Sequence, residues 1–310
     1  MRLMALINAI LIAVVILVIL FPVTTRSKGR AKPIEYSFLD KSDKKVNKKV
    51  LILAIDGIRP DALKRSRTPH LDWLIDHAVY SMNAQIQRRG DSVSGPGWAS
   101  VFTGVESTKH NIWRNKNYER IETAYPTFLK QLHRRKQRIS FAASWKPLFT
   151  MFKVEQFDHW TRGKDKANAA WTVDVIENDK ADASVLYFSG VDYAGHTTGF
   201  SPRNRIYRRA IEKVDRYVGN VLAAISKRPT IDSEDWLIVV VTDHGGRGHT
   251  HSGRHRKSTT IPLIFANTRR RGFIKSPANH LDVAPTVLKF MGIFNEKRSK
   301  HDGKVVELGG

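Results

Sequence analysis

The chain has no cysteine, and this absence removes several kinds of chemistry. It excludes disulfides, thiolate metal ligands, a cysteine nucleophile and a formylglycine made from cysteine. Any metal site must therefore be built from His, Asp and Glu. Acidic residues are also scarce, since 29 Asp and Glu stand against 52 Lys and Arg, a formal net charge of +23. This balance favours phosphate-bearing partners or an anionic membrane face.

The N-terminal segment almost lacks polar side chains. Between positions 3 and 23 the only one is Asn8, and about 20 apolar residues suffice to cross a bilayer as a helix. We expect residues 1–25 to form a transmembrane anchor. A cleaved signal peptide is the alternative, but the apolar run is longer than the usual apolar region of a signal peptide, and Val23-Thr24-Thr25 is a poor small-residue cleavage site.

Residues 26–48 are polar and basic, which is typical of a linker. The linker is either a soluble spacer or a segment lying on anionic lipid headgroups. Its basic residues favour a cytoplasmic domain under the positive-inside rule, but large domains often override that rule. We expect a single-pass membrane protein with an extracytoplasmic domain.

Residues 49–310 alternate short apolar runs with stretches of helical period. This pattern predicts an α/β domain with a central, mostly parallel sheet flanked by helices on both faces. The apolar runs are continuous, as in strands buried on both faces. They cover residues 50–55, 139–143, 184–188, 236–241 and 262–266.

Acidic residues follow three of these predicted strands. Asp56 follows the first, Asp192 the third, and Asp243 the fourth. Ligands of open α/β sheets bind outside the carboxyl ends of the strands, so we expect these carboxylates to converge there. Taken alone, Asp56 followed by Gly57 is equally typical of a turn.

Histidines accompany two of the acids. Asp192 and His196 are four residues apart, which places both on one face of a helical turn. Asp243 and His244 can share a centre only if the chain has already left the strand, because neighbours in a strand point to opposite faces. Of the histidines that follow, His251 is the preferred ligand; the others are His249 and His255.

A nucleophile candidate lies in the segment SGPGWASVFTG. Ser94 precedes a helix that we expect to begin near Trp98. The backbone N–H groups of a helix N-terminus can hold a phosphate oxygen, and a nearby metal lowers the pKa of a hydroxyl. A simple N-cap role for Ser94 remains the alternative, and Ser92 and Ser100 are nearby competitors.

The segments LAIDGIRPDAL, SGPGWASVFTG, VDYAGH, TDHGGRGHTH and LDVAPTVLKFMGI resemble the successive signatures of the alkaline phosphatase superfamily. The type I phosphodiesterase/nucleotide pyrophosphatase branch is the most similar. The resemblance implies two divalent cations, for which zinc is expected, and an attack by Ser94 that forms a phosphoserine. The implied ligands of one cation are Asp56, Ser94, Asp243 and His244, and those of the other are Asp192, His196 and His251.

The expected activity is metal-dependent hydrolysis of phosphoesters. Nucleotide pyrophosphatases usually carry Thr-Phe-Pro-Asn where this chain has SGPG, so a nucleotide substrate does not follow. Asn115 is either a substitute amide donor or a surface residue. A sulfatase signature needs Arg where this chain has Trp98, and membrane phosphotransferases normally have several spans. Non-catalytic anion binding is a further alternative, but no dedicated nucleic-acid module is present, and the oligomeric state stays open.

Overall fold

The computed structural model describes residue 36 and residues 47–88, 92–116, 118, 125–267, 272–274 and 277–308. The predicted anchor, residues 1–25, and most of the predicted linker lie outside these residues. Within the described part of the chain, no helix combines the length and the apolar character needed to cross a bilayer.

An eight-stranded sheet forms the centre of the domain. Its strands are β1 (Asn47–Ile55), β2 (Ala78–Gln85), β3 (Ile139–Ala143), β4 (His159–Arg162), β5 (Ala183–Phe188), β6 (Glu234–Val241), β7 (Thr260–Ala266) and β8 (Gly272–Phe273). The strand order is β4-β3-β5-β1-β6-β7-β2-β8. Only β7 runs antiparallel to its neighbours, β6 and β2. The prediction of a mostly parallel sheet is confirmed, and each of the five predicted runs forms a strand.

Helices cover both faces of the sheet. They are α1 (Pro60–Leu63), α2 (Pro69–Asp76), α3 (Ser94–Thr103), α4 (Ser107–His110), α5 (Phe128–Arg134), α6 (Pro147–Phe152), α7 (Asp165–Glu177), α8 (Gly190–Thr198), α9 (Arg205–Ser226), α10 (Arg256–Thr259) and α11 (Val283–Phe290). Successive side chains of β1 enter opposite core clusters, with Ile52 in one and Leu53 in the other. This explains the continuous apolar runs, since strands buried on both faces have no polar side.

One residue of the predicted linker packs on the domain. Tyr36 is buried, and its hydroxyl lies 2.8 Å from Nδ1 of His70 and donates to the carbonyl oxygen of Gly219 on α9. Its ring meets Trp73 edge to face. The chain is therefore fixed to the α2 and α9 side of the domain before it enters β1.

Candidate metal centre

The predicted convergence of acids occurs at the carboxyl end of β1. This strand pairs in parallel with β5 on one side and β6 on the other, so the residues after all three strands meet. Gly57 permits the close approach: its φ is +69°, and a Cβ there would lie 2.9 Å from Asp192. Asp56 and Asp192 are therefore neighbours because a glycine stands between them.

Six predicted ligands form two groups. Within each group, one potential ligand atom per residue lies within 4.8 Å of the others. The first group is Asp56, Asp243 and His244, and the second is Asp192, His196 and His251. These are the two sets that the family resemblance implied, with Ser94 beside the first. The groups adjoin, since the rings of His244 and His251 stack with centroids 3.6 Å apart.

The chain geometry explains how each group forms. Strand β6 ends at Val241, so Asp243 and His244 have left the strand, and Nε2 of His244 lies 3.3 Å from Oδ2 of Asp243. Asp192 and His196 lie on α8, with Nε2 of His196 3.5 Å from Oδ2 of Asp192. The structure therefore confirms that the chain has left the strand before Asp243 and that Asp192 and His196 share one face of a helix.

Each carboxylate keeps one oxygen without a hydrogen bond. The buried oxygens Oδ1 of Asp56, Oδ1 of Asp192 and Oδ2 of Asp243 have no hydrogen-bond partner among the described residues. Burial, and then the charge of Asp56, raises the pKa of Asp192 to about 8. Burial also raises the pKa of Asp56 and that of Asp243. Three clustered carboxylates with unused oxygens form a site that a divalent cation would neutralise and satisfy.

The three histidines are oriented to offer Nε2. In each of them Nδ1 donates to a backbone carbonyl oxygen. His196 donates to His249 at 2.9 Å. His244 donates to Gly245 at 2.8 Å, and His251 donates to Ser92 at 2.5 Å. A neutral imidazole that donates through Nδ1 keeps its lone pair on Nε2. Burial lowers the pKa of His244 and His251 to about 3, so both are neutral at physiological pH. This arrangement is the usual support of metal-binding histidines.

The orphaned carboxylate oxygens and the histidine tautomers both fit divalent cations. No thiolate is available, and a donor set of His and Asp suits zinc, with manganese or iron as alternatives. The two groups contain six of the residues predicted as ligands.

Ser94 opens helix α3, so the prediction that this helix begins near Trp98 was wrong. Ser94 is buried, and its Oγ lies 3.3 Å from Nε2 of His244. Glycine is required within the first turn of α3, since a Cβ on Gly97 would lie 2.7 Å from Cβ of Asp243. Packing against the site therefore overrides the low helix propensity of glycine.

Asn115 is exposed, but it is also part of the site. Its Oδ1 accepts a 2.6 Å hydrogen bond from the backbone N–H of Gly95, next to Ser94. This bond uses the oxygen and leaves the Nδ2 hydrogens available to another acceptor. Asn115 is therefore a surface residue, and its role as a substitute amide donor stays a prediction.

Three supporting residues were not predicted from the sequence. Oδ2 of Asp56 accepts from the Tyr187 hydroxyl at 2.5 Å and from Nε1 of Trp98 at 3.3 Å, which leaves Oδ1 for the centre. Asp165 accepts from the N–H groups of Ser189 and Gly190 and so fixes the start of α8. Tyr187 sits in an apolar strand, and Asp165 is remote in sequence, so no local pattern marks either.

Comparisons with known proteins identify relatives by sequence and by fold. The curated relatives include the 2,3-bisphosphoglycerate-independent phosphoglycerate mutases of Cellvibrio japonicus and Listeria monocytogenes serotype 4b, 31% identical over 131 and 124 residues. Each match covers 39% of this chain and 22% of the relative, so the chain matches less than a quarter of their length.

Solved structures share the fold. Murine ectonucleotide pyrophosphatase/phosphodiesterase 5 superposes with a TM-score of 0.65 and 14% identity, over 83% of this chain and 97% of that chain. A 2-O GAG sulfatase superposes with a TM-score of 0.63 and 16% identity, over 83% and 73%. The profile of the Metalloenzyme superfamily matches residues 48–295. The chain therefore belongs to this alkaline phosphatase-like metalloenzyme superfamily.

Proposed function

We propose that the chain hydrolyses phosphoesters, in the manner of a phosphodiesterase, through a phosphoserine formed on Ser94. The observation that carries the proposal is the position of Ser94. Its Oγ lies at the start of α3, 3.3 Å from Nε2 of His244, beside two groups of unsatisfied ligands.

The ligand groups define where two cations would bind. Asp56, Asp243 and His244 would hold one together with Oγ of Ser94, and the second group would hold the other. Divalent cations at such sites polarise phosphoryl oxygens and lower the pKa of a bound hydroxyl or water.

The residues of the chain contribute the nucleophile and its orientation. Ser94 releases its hydroxyl proton to solvent as the Oγ–P bond forms, and the bond from phosphorus to the leaving oxygen breaks, with a solvent proton completing the alcohol. Water then attacks phosphorus and gives up a proton, the Oγ–P bond breaks, and Oγ takes up a proton, which restores Ser94 and releases the phosphorylated product. The positive end of the α3 dipole and the Nδ2 donor of Asn115 are suited to the phosphoryl oxygens.

Transfer to an acceptor other than water is the second candidate, because the curated relatives are mutases. The first half of the reaction would be the same, and only the acceptor would differ. A sulfatase activity has less support, since Cys is absent and Trp98 stands where the sulfatase signature has Arg.

The test uses the full chain in detergent with p-nitrophenyl phosphate, bis-p-nitrophenyl phosphate and p-nitrophenyl sulfate, in zinc or in chelator. We expect turnover of a phosphate ester that requires the metal and falls by about 10³-fold or more in Ser94→Ala. Ser252→Ala, an exposed serine of the β6–β7 loop, is the control. Mass spectrometry of acid-quenched enzyme should find the phosphoryl group on Ser94.

Several results would contradict the proposal. Full activity in Ser94→Ala would remove the nucleophile, and preference for the sulfate ester would favour the sulfatase alternative. Burst phosphorylation of Ser94 without steady turnover would favour transfer to another acceptor. A purified chain that binds no divalent cation would exclude the proposed chemistry.

A further inference from the structure

The mouth of the metal centre carries an unusual combination of side chains. On α8, Tyr193 shares its exposed face with the ligand His196 and is 70% exposed. At the start of α9, Ile206 is 56% exposed. We call Tyr193, Ile206 and the exposed arginines beside them the mouth surface; these arginines are Arg203, Arg205, Arg209 and Arg247.

Hydrogen bonds hold the parts of the mouth surface together. Asn204 caps α9, and its Nδ2 donates to the carbonyl oxygens of Thr198 and Gly199 at the end of α8, which places Ile206 beside that helix. Gly248 accepts from the N–H of Phe200, which brings the turn containing Arg247 to the same place.

Positive charge predominates on these segments. No Asp or Glu occurs between Tyr193 and Ile211, or between His244 and Leu281. The half-exposed Asp61 is paired with Arg59, which donates to the carbonyl oxygens of Phe200 and Gly246, so its charge is compensated. Arginines interspersed with an exposed tyrosine and isoleucine suit the interface of an anionic bilayer, because guanidinium groups bind lipid phosphates while apolar side chains enter the acyl boundary. A soluble polyanion would complement the arginines but not the apolar side chains.

A bilayer is within reach of this surface. Tyr36 is bound to Gly219 on α9, and about 20 Å of helix axis separate Gly219 from Ile206. The chain between Tyr36 and the apolar N-terminal run can extend to about 40 Å. A membrane that holds that run can therefore also meet the mouth surface.

We propose that the mouth surface lies on an anionic lipid bilayer, so that the metal centre faces lipid headgroups. The contact with the bilayer is independent of the chemistry. The corollary, that the natural substrate is a phosphoester carried by a membrane lipid, rests on the proposed function.

The absence of cysteine allows a direct test on the full chain in vesicles. Tyr193→Cys and Ile206→Cys carry an environment-sensitive fluorophore. Phe273→Cys is the matched control, since Phe273 is 73% exposed on β8, the edge strand of the sheet. Brominated lipids should quench the first two labels at least about twofold more than the control when the vesicles contain phosphatidylglycerol. Replacing the four arginines by glutamine should abolish this difference.

Equal quenching at the three positions, or quenching that the arginine replacements leave unchanged, overturns the proposal. A blue shift that needs no lipid would indicate a second copy of the chain on this surface, and it also overturns the proposal. Hydrolysis of p-nitrophenyl phosphate in detergent, by the wild-type chain and by the labelled Phe273→Cys variant, tests the activity separately. Quenching without turnover would leave the bilayer contact standing and remove only the proposed function.

Discussion

His196 and His249 each donate a hydrogen bond from the imidazole ring to the backbone carbonyl oxygen of the other residue. Nδ1 of His196 donates to the carbonyl oxygen of His249 at 2.9 Å, and Nδ1 of His249 donates to that of His196 at 3.0 Å. This reciprocal pair joins α8 to the β6–β7 loop and fixes the His196 ring with Nε2 toward Asp192. His249 therefore positions the ring of His196, a predicted ligand of the second group.

The His249→Ala variant should weaken one cation site selectively. The carbonyl oxygen of His249 that accepts from His196 remains in this variant, but the bond from Nδ1 of His249 that holds the loop against α8 is lost. We expect about 10-fold lower affinity for one of the two divalent cations, the lower end of the effect of disturbing the support of a metal-binding histidine. The measurement is a titration with Co²⁺, read from its absorption spectrum, which does not depend on turnover.

The conservative variant His249→Asn should restore much of the affinity, because the asparagine amide can donate in place of Nδ1. His133→Ala, on α5, is the control for loss of an imidazole. Equal loss at both cation sites, or no loss in His249→Ala, would contradict a selective positioning role.

Tyr187→Phe tests the support of Asp56. Burial and the charge of Asp56 raise the pKa of Tyr187 well above its usual value, so the hydroxyl stays protonated and donates. Its removal leaves Oδ2 of Asp56 with Trp98 as its remaining donor. We expect weaker binding of the cation held by the Asp56 group, measured by competition with a chelator, and Tyr217→Phe is the control. Unchanged affinity would show that packing alone holds Asp56.

The location of the site could be predicted from the sequence for a physical reason. Continuous apolar strands mark a buried parallel sheet, and the acid after each strand must lie at the edge where the chain turns. Asp56, Asp192 and Asp243 therefore converge whatever the order of the outer strands. The spacing of Asp192 and His196 then predicts a shared face, which α8 provides.

The remaining features depend on tertiary contacts that leave no local pattern. Gly95 and Gly97 indicate a loop by propensity, but they are helical, and their missing side chains leave room for Asn115 and Asp243 respectively. Trp98 marked the expected helix start, whereas its indole actually holds Asp56. His249 was one of several histidines in an exposed loop, and only its contact with His196 distinguishes it.

Asn115 offers a test that separates two roles of one side chain. Asn115→Asp keeps the oxygen that accepts from Gly95 but loses the Nδ2 donor, while Asn115→Ala loses both. If Nδ2 binds the phosphoryl oxygens in the transition state, both variants should lower kcat by about 10²-fold. If only the bond to Gly95 matters, Asn115→Asp should retain near wild-type kcat. Comparison of kcat and KM on the preferred p-nitrophenyl ester distinguishes the two results.

Metal removal should reverse the pH dependence of stability. In chelator, the folded state keeps a proton on Asp192, whose pKa is raised to about 8, while the unfolded chain releases it near pH 4. Between these values the unfolded state binds fewer protons, so the free energy of unfolding falls as pH rises. When zinc is present, the cation takes the place of the protons and binds more tightly at higher pH. The fall of the free energy of unfolding with pH should then weaken or reverse.

Thermal melts from pH 5 to 8, with and without zinc, measure this difference. The pKa of Asp215 is raised to about 7 by burial away from the metal centre, and this group lowers stability with rising pH in both conditions. The informative quantity is therefore the gap between the two melting curves, which should widen with pH. In Asp192→Asn, the decline in chelator should become shallower because the proton that the folded state keeps on Asp192 is no longer involved. A gap that narrows toward pH 8 would mean that the clustered carboxylates do not bind the cation.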